Sequence, residues 1–347
     1  MGDLVVRTFR ARVESSAVRT YLATPITVNW GITARCNFVC SHCFSRLDRS
    51  PELSGKEARR VVDILAENGV MFVNYGTGEP MLREDLFPLT EYAVGKGLKV
   101  TMNSNGSLID RDAAERIRRS GFHSVGISID SADPGTHDAF RRMPDSFAKA
   151  VRAARMLVEQ GISLTISSVI CRVNAHDFPS LVELAKELGA GTIDLHNFKC
   201  SGFGGLNKER LDLSPEEWRT FYERATPLRR EEKGIEIAFD DPILSLLDGE
   251  DGNKLVPGSV CGKLSLYIGP DGKITPCGFI PVSLGHILRD DFGMVWHDSK
   301  VLDFLRNKGA AGKCSGCAKF SSCLGGCTAR AYAVYGAYDA PDPHCWA

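Results

Sequence analysis

Cysteine placement constrains this chain of 347 residues more than any other feature of its sequence. Three of its 12 cysteines form Cys36-x3-Cys40-x2-Cys43, directly after Ile26-Thr27-Val28-Asn29-Trp30-Gly31-Ile32, an apolar run that reads as a strand. Another seven fall between Cys261 and Cys345, leaving only Cys171 and Cys200 outside both groups. A closed zinc site takes four ligands in a tetrahedron, usually from two paired motifs. The first group offers three thiolates, and the only further ligand nearby, His42, lies inside the loop itself. Three thiolates on a cubane of four irons leave one iron open, and an open metal position is where chemistry occurs. Zinc and a metal-free cysteine cluster are the competing readings.

The rest of the composition limits the setting. The chain is long enough for two domains, or for one large barrel with an appendage. A net charge of −1, with acidic and basic residues interleaved, gives no bias toward nucleic acid or a membrane surface. No apolar run reaches the roughly 18 residues of a membrane span. The N-terminus lacks the apolar core and cleavage site of a signal peptide, so a cytoplasmic location is expected. In a reducing compartment, clustered thiols ligate metal more often than they form disulfides.

From Ile26 to about Arg230 short apolar runs alternate with helical stretches. Strands are expected over Val70–Tyr75, Leu98–Asn103, Ser124–Asp130, Ser163–Ile170 and Thr192–Asn197. Helices are expected after Ser54 (with Glu57 at capping-box spacing) and over Leu86–Gly95, Arg111–Ser120, Phe147–Glu159, Phe178–Leu188 and Pro215–Thr226. This order gives six parallel βα units, fewer than the eight of a closed barrel. The divisions expected are an N-terminal extension (1–25), a partial barrel (26–233), a linker (234–256) and a small cysteine-rich domain (257–347). Within the last, Leu264–Cys277 has an Asp271-Gly272 turn between alternating residues, a β-hairpin signal.

The first cysteine motif, in this βα context, resembles that of the radical S-adenosylmethionine (SAM) superfamily. The resemblance implies a partial (β/α)6 barrel with a [4Fe–4S] cluster on Cys36, Cys40 and Cys43 at the strands' C-terminal edge. Its open iron would chelate the methionine end of SAM, whose reductive cleavage gives a 5′-deoxyadenosyl radical. Gly76-Thr77-Gly78-Glu79-Pro80 is similar to the family's GGEP loop, with Thr77 in place of a glycine. Glu79 would accept the cofactor's ammonium hydrogens. Ser104-Asn105-Gly106 resembles the T-N-G segment. Ser128-Ile129-Asp130, with His137-Asp138 and Arg141 following, resembles an S-x-D…H-D-x-x-R pattern. By that match Ser128 would bond the ribose or carboxylate, and Arg141 would clamp the methionine carboxylate. His42 holds an aromatic position near the adenine; Ile170, beside Val169, either packs under that ring or is simply core.

The later cysteines run Cys261…Gly272-x4-Cys277, Cys314-x2-Cys317-x5-Cys323-x3-Cys327 and Cys345. This order resembles the SPASM extension of radical SAM enzymes. The resemblance implies two auxiliary [4Fe–4S] clusters, one on Cys261, Cys277 and Cys327, the other on Cys314, Cys317, Cys323 and Cys345. Seven ligands for two cubanes leave one iron open or borrowing a ligand, and zinc is the alternative for the Cys314–Cys327 knot. Cys200, just after the sixth strand, is open to three roles: a buried thiol, the missing eighth ligand, or a catalytic hydrogen-atom donor. Cys171 reads as a buried structural thiol.

The resemblance implies hydrogen-atom abstraction, with net oxidation, decarboxylation or epimerisation to follow. An electron donor such as flavodoxin or ferredoxin would be its partner. His196, Asn197, Lys199, Asp240 and Asp241 form a hydrogen-bonding set that favours a small polar substrate, sugar- or nucleoside-like, over a peptide. Peptide maturation is the first alternative. Tetrapyrrole decarboxylation is the second, although Gly202-Phe203-Gly204 lacks the arginine of the Gly-Arg-Gly segment common in tetrapyrrole members. A non-enzymatic iron–sulfur carrier or scaffold would have no use for the Gly76–Pro80 loop.

Overall fold

The computed structural model describes residues 21–239, 241–247, 249 and 256–347. Most of the N-terminal extension, Asp240 and most of the polar turn near residue 250 lie outside these. Among the described residues, ten strands form one sheet in the order β10-β9-β8-β1-β2-β3-β4-β5-β6-β7. They are β1 (Thr27–Gly31), β2 (Phe72–Gly76), β3 (Lys99–Ser104), β4 (Ser124–Ser128), β5 (Leu164–Ile170), β6 (Thr192–Asn197), β7 (Glu236–Phe239), β8 (Ser265–Ile268), β9 (Lys273–Thr275) and β10 (Gly285–His286). Neighbours from β1 to β7 are parallel, while the β8–β9 and β9–β10 pairs are antiparallel.

Residue alternation explains how this sheet is used. Successive strand residues point to opposite faces. Val28, Trp30, Val73, Tyr75, Val100, Met102, Val125, Ile127, Ile166, Ile193 and Leu195 are buried on one face with the helices' apolar residues. The other face carries Asn29, Asn74, Thr101, Asn103, Ser128, Ser167, Asp194 and His196 in paired register. Asn74 donates to Asn29 (3.1 Å) and accepts from the Thr101 hydroxyl (3.0 Å), so this face is polar by construction. The first and last strands in the order do not pair with each other, which leaves the barrel open.

Local signals set the helix boundaries. Ser54 and Glu57 form the anticipated capping box at the start of Gly55–Glu67, and Ser214 with Glu217 repeats it at Pro215–Glu231. Three elements differ from expectation. Pro134–Arg141 is a helix, entered through an Asp133 cap with proline in its first turn. Glu236–Phe239, within the expected linker, is a seventh parallel strand on β6. Strand β8 pairs parallel with β1, so the cysteine-rich region extends the barrel sheet rather than forming an independent one. Leu22 joins Ile26, Phe72, Val256 and Leu264 in a small core, and its carbonyl accepts from the buried Trp296 indole (2.9 Å).

Candidate functional site

The first cysteine loop leaves the C-terminal edge of β1. Cys40 is buried, and burial pushes its thiol up to about 12 against the opposing pull of Arg141. Burial also raises the Cys36 thiol. A bound cation would hold these thiolates deprotonated outright against that burial. Neighbouring elements fix the loop: the Ser41 amide donates to the Phe140 carbonyl (3.0 Å) and the Phe203 amide to the Cys43 carbonyl (2.9 Å). His42 stacks on Phe140 with ring centroids 4.4 Å apart, and burial lowers its pKa to about 3. Its Nδ1 is buried without a partner, an orphaned polar atom in the same loop as the three thiols.

The loop after β2 is stapled onto the cysteine loop. The Glu79 amide donates to the Arg35 carbonyl at 2.8 Å. Gly78 has φ +63°, and a Cβ there would lie 2.4 Å from the Arg35 carbonyl oxygen, so only glycine fits. Thr77 has φ +66°, a strained conformation for a β-branched residue. Its hydroxyl accepts from Tyr267 of β8 (3.0 Å), a contact that reaches from the cysteine-rich hairpin into this loop. Glu79 itself is 1% exposed. Its carboxylate accepts from the Ser104 hydroxyl (2.8 Å) and the Asn105 and Met81 amides (2.8 and 3.1 Å). Burial raises its pKa, and these three donors oppose the rise. Asn105 in turn donates to Asn37, adjacent to Cys36 (2.9 Å).

Arg141, expected to clamp the methionine carboxylate, also has partners within the chain. Its Nε donates to buried Asp130 (2.5 Å) and its Nη1 lies 3.9 Å from the Cys40 sulfur. Asp130 also accepts from the Val169 amide (2.9 Å). Burial pushes the Asp130 carboxyl up, but Arg141, His42 and His137 together hold it below the usual carboxylate range. Ser128 lies on the polar sheet face. Ile170 belongs to the opposite, helix-packed face and to the core.

In the cysteine-rich region the seven thiols form two groups. Cys261 and Cys277 are hydrogen-bonded through their side chains, and that bond, opposed by burial, holds Cys277 below the usual thiol range. Cys327 and Cys277 pack in one small cluster with Ile280 and Phe279. Cys314, Cys317, Cys323 and Cys345 line a single cavity of ≈ 260 Å³ with Phe320 and Asp342. Among the described residues no three His, Cys, Asp or Glu side chains converge as for a single metal ion. Thiols arranged around a volume suit a polynuclear cluster better than one zinc ion.

Cys200 is partly buried against the barrel core. Its thiol donates to Asp212 (3.1 Å), which lies 2.8 Å from His344, and burial followed by the Asp212 charge pushes it up to about 12. Of the polar set expected at β6, Asn197 donates to Asp241, while His196 lies on the opposite, polar face 3.5 Å from Asp194. Lys199 donates to the Asn197 side chain (2.8 Å) and stands 4.9 Å from the centre of the Phe279 ring. Sequence reasoning missed Arg330, Asp342 and Tyr267, and the Phe44–Phe279 contact (4.3 Å) between the first cysteine loop and the auxiliary region. A lone arginine or phenylalanine in a cysteine-rich stretch carries no local signal of such a partner.

An open parallel barrel with a three-cysteine loop at its C-terminal edge, followed by a seven-cysteine region, defines an iron–sulfur enzyme that uses SAM. Residues 30–185 match the radical SAM superfamily model, and residues 261–318 match an iron–sulfur cluster-binding domain, SPASM. The mycofactocin maturase MftC of Mycolicibacterium smegmatis is 32% identical over 333 residues, covering 93% of this chain and 83% of its own. The AdoMet-dependent heme synthase of Nitratidesulfovibrio vulgaris is 29% identical over 345 residues, covering 92% and 91%. Streptococcus suis SuiB bound to S-adenosylmethionine superposes with a TM-score of 0.78 at 21% identity, covering 97% of this chain and 81% of its own. The chain belongs to the radical SAM superfamily, in the branch that carries a SPASM domain. It is an enzyme. No helix among the described residues is long and apolar enough to cross a membrane.

Proposed function

We propose that the enzyme carries out a SAM-dependent net oxidation of a peptide. A single arrangement carries the oxidative part: Cys261, Cys277 and Cys327 lie next to the barrel mouth, with Phe279 against Phe44 of the first cysteine loop. When bound, the first cluster and SAM supply a 5′-deoxyadenosyl radical for hydrogen-atom abstraction, and two auxiliary clusters supply electron transfer. Cys36, Cys40 and Cys43 would hold the first cluster; Cys261, Cys277 and Cys327 the second; Cys314, Cys317, Cys323 and Cys345 the third. Glu79, with Gly76, Thr77, Gly78, Ser104 and Asn105, forms the polar edge for the cofactor's methionine end. Arg141 acts through Asp130 and Cys40, holding the cysteine loop against the barrel. An external one-electron donor of the flavodoxin or ferredoxin type would supply the reductant.

The substrate reading moves from the sugar- or nucleoside-like ligand that the sequence favoured. The relatives are named for mycofactocin maturation and heme synthesis, which correspond to the two alternatives. The amide- and hydroxyl-lined sheet face, with Asn29, Asn74, Thr101, Asn103 and Ser128, suits the donors and acceptors of a peptide backbone. Tetrapyrrole oxidation is the second reading, favoured by the heme synthase relatives and opposed by Phe203 where an arginine would meet a propionate. The test is anaerobic turnover of the reduced, reconstituted enzyme with SAM and, separately, a precursor peptide, a coproporphyrin and a nucleoside. Peptide-dependent 5′-deoxyadenosine with an oxidised peptide product is expected. Turnover with coproporphyrin alone selects the second reading, and turnover with the nucleoside alone sinks both.

A further inference from the structure

Lys199 follows β6 by two residues and stands where the barrel mouth meets the auxiliary region. Its ammonium is fixed on two sides. Asn197 accepts from it through the side-chain oxygen (2.8 Å), and the Phe279 ring lies 4.9 Å away. Asn197 is itself fixed, because its amide donates to Asp241, which Arg330 holds at 2.7 and 2.9 Å. Phe279 is two residues from Cys277 and packs in the same apolar cluster as Cys327. Lys199 is thus a fixed cation on the mouth side of that cluster, and among the described residues no acid is hydrogen-bonded to its ammonium.

We propose that Lys199 sets the reduction potential of the cluster held by Cys261, Cys277 and Cys327, raising it so that the cluster accepts an electron from the barrel mouth. This rests on the assignment of those cysteines as cluster ligands. A reduced cluster is one unit more negative than an oxidised one. A cation within several Ångströms therefore favours the reduced state, the more so in a partly buried, low-dielectric setting. Phe279, over whose ring the Lys199 ammonium stands, packs with Cys277 and Cys327, so the charge lies on that side of the cluster. The cluster on Cys314, Cys317, Cys323 and Cys345 has a different buried lysine, Lys308, whose ammonium donates to the Ala340 carbonyl (3.1 Å), so a change at Lys199 should act on the first cluster alone.

The two auxiliary clusters give an internal control. In a Cys36/Cys40/Cys43→Ala background, which removes the first cluster, iron content and electron paramagnetic resonance first establish whether both auxiliary clusters are present. Their absence would refute the ligand assignment itself. Redox titration of Lys199→Met in that background should then lower one auxiliary potential and leave the other in place. The reduced-to-oxidised ratio at fixed ambient potential should fall roughly threefold or more, which is about 28 mV or more for one electron. Lys199→Arg should restore it. If Lys199→Met loses iron, Lys199→Gln, which keeps a hydrogen bond to Asn197, makes the same comparison. Two unchanged potentials with intact iron overturn the proposal, as does an equal shift in both. A raised KM with unchanged potentials overturns it in favour of a substrate contact.

Discussion

Arg330 of the cysteine-rich region and Asp241, just beyond the last barrel strand, form a two-pronged pair, with nitrogen–oxygen distances of 2.7 and 2.9 Å. Both side chains are 3% exposed or less. The same guanidinium also binds Asp342, whose carboxylate accepts from the Cys327 amide (2.6 Å) and whose carbonyl accepts from the Cys345 amide (3.1 Å). One arginine thereby joins the barrel edge to backbone around ligands of both proposed auxiliary clusters. Arg330→Leu leaves two carboxylates buried with no counter-charge, a loss of roughly 3–5 kcal/mol. Denaturant unfolding should show that loss, together with reduced iron content. Unaltered stability would mean that water reaches both acids.

The Gly76–Pro80 loop separates two glycines with different duties. Gly78→Ala should displace the Arg35 carbonyl and with it the Cys36 loop, abolishing SAM binding and lowering iron by about one cluster. Gly76→Ala should leave the loop and its iron in place, because the nearest atom to a Cβ there is 3.7 Å away. Thr77→Gly should retain SAM affinity with little net change in stability, as relief of about 1–3 kcal/mol of strain is offset by glycine's entropy and by the lost acceptor for the Tyr267 hydroxyl. Equilibrium dialysis with labelled SAM and iron assay separate the three variants. Equal iron content in the two alanine variants would contradict the close approach at Gly78.

Arg141 should leave a signature in pH dependence. In the wild type Asp130 has a depressed pKa, so its stabilisation is complete above its unfolded value, about 3.9, and is lost only as pH falls below that. In Arg141→Met burial dominates, the Asp130 pKa rises above the unfolded value, and stability declines as pH rises through that window. The variant should be about 3–5 kcal/mol less stable near neutrality. That gap should narrow as pH is lowered from about 8 to about 5. A gap independent of pH would mean that Arg141 contributes packing rather than charge.

Cys200→Ala removes one hydrogen bond to a carboxylate that keeps His344 and the Leu213 amide as partners. The expected loss is below about 1.5 kcal/mol. With its thiol directed at Asp212, the variant should show unchanged auxiliary-cluster spectra and an unchanged product. An altered auxiliary spectrum would restore the ligand role. Hydrogen abstraction without a completed product would restore the donor role.

The βα alternation was legible because parallel strands buried by helices are short runs of Val, Ile and Leu, and helices begin with local devices such as Ser54 with Glu57. Strand β7 was not legible. Its four residues, Glu236-Ile237-Ala238-Phe239, follow charged residues and gain their strand character from pairing with β6. The helix Pro134–Arg141 carried an available signal in Asp133-Pro134. The polar sheet face was written in the strands as Asn29, Asn74, Thr101 and Ser128. It becomes visible as one surface only when register aligns them.

Cysteine number, spacing and order along the chain are covalent facts, so the resemblance to radical SAM and SPASM proteins, and the separation of three cysteines from the later seven, were readable from the sequence by itself. The glycine loop and the βα alternation follow equally from local residue chemistry. Tertiary structure alone decided the long-range pairings. Arg141 turns to Asp130 and Cys40, Cys200 to Asp212, Tyr267 to Thr77, and Arg330 to Asp241, a residue 89 positions away. A buried charge or donor must find a partner wherever packing brings one, and which partner that is depends on how strands and loops close in space. Sequence spacing carries no record of that choice.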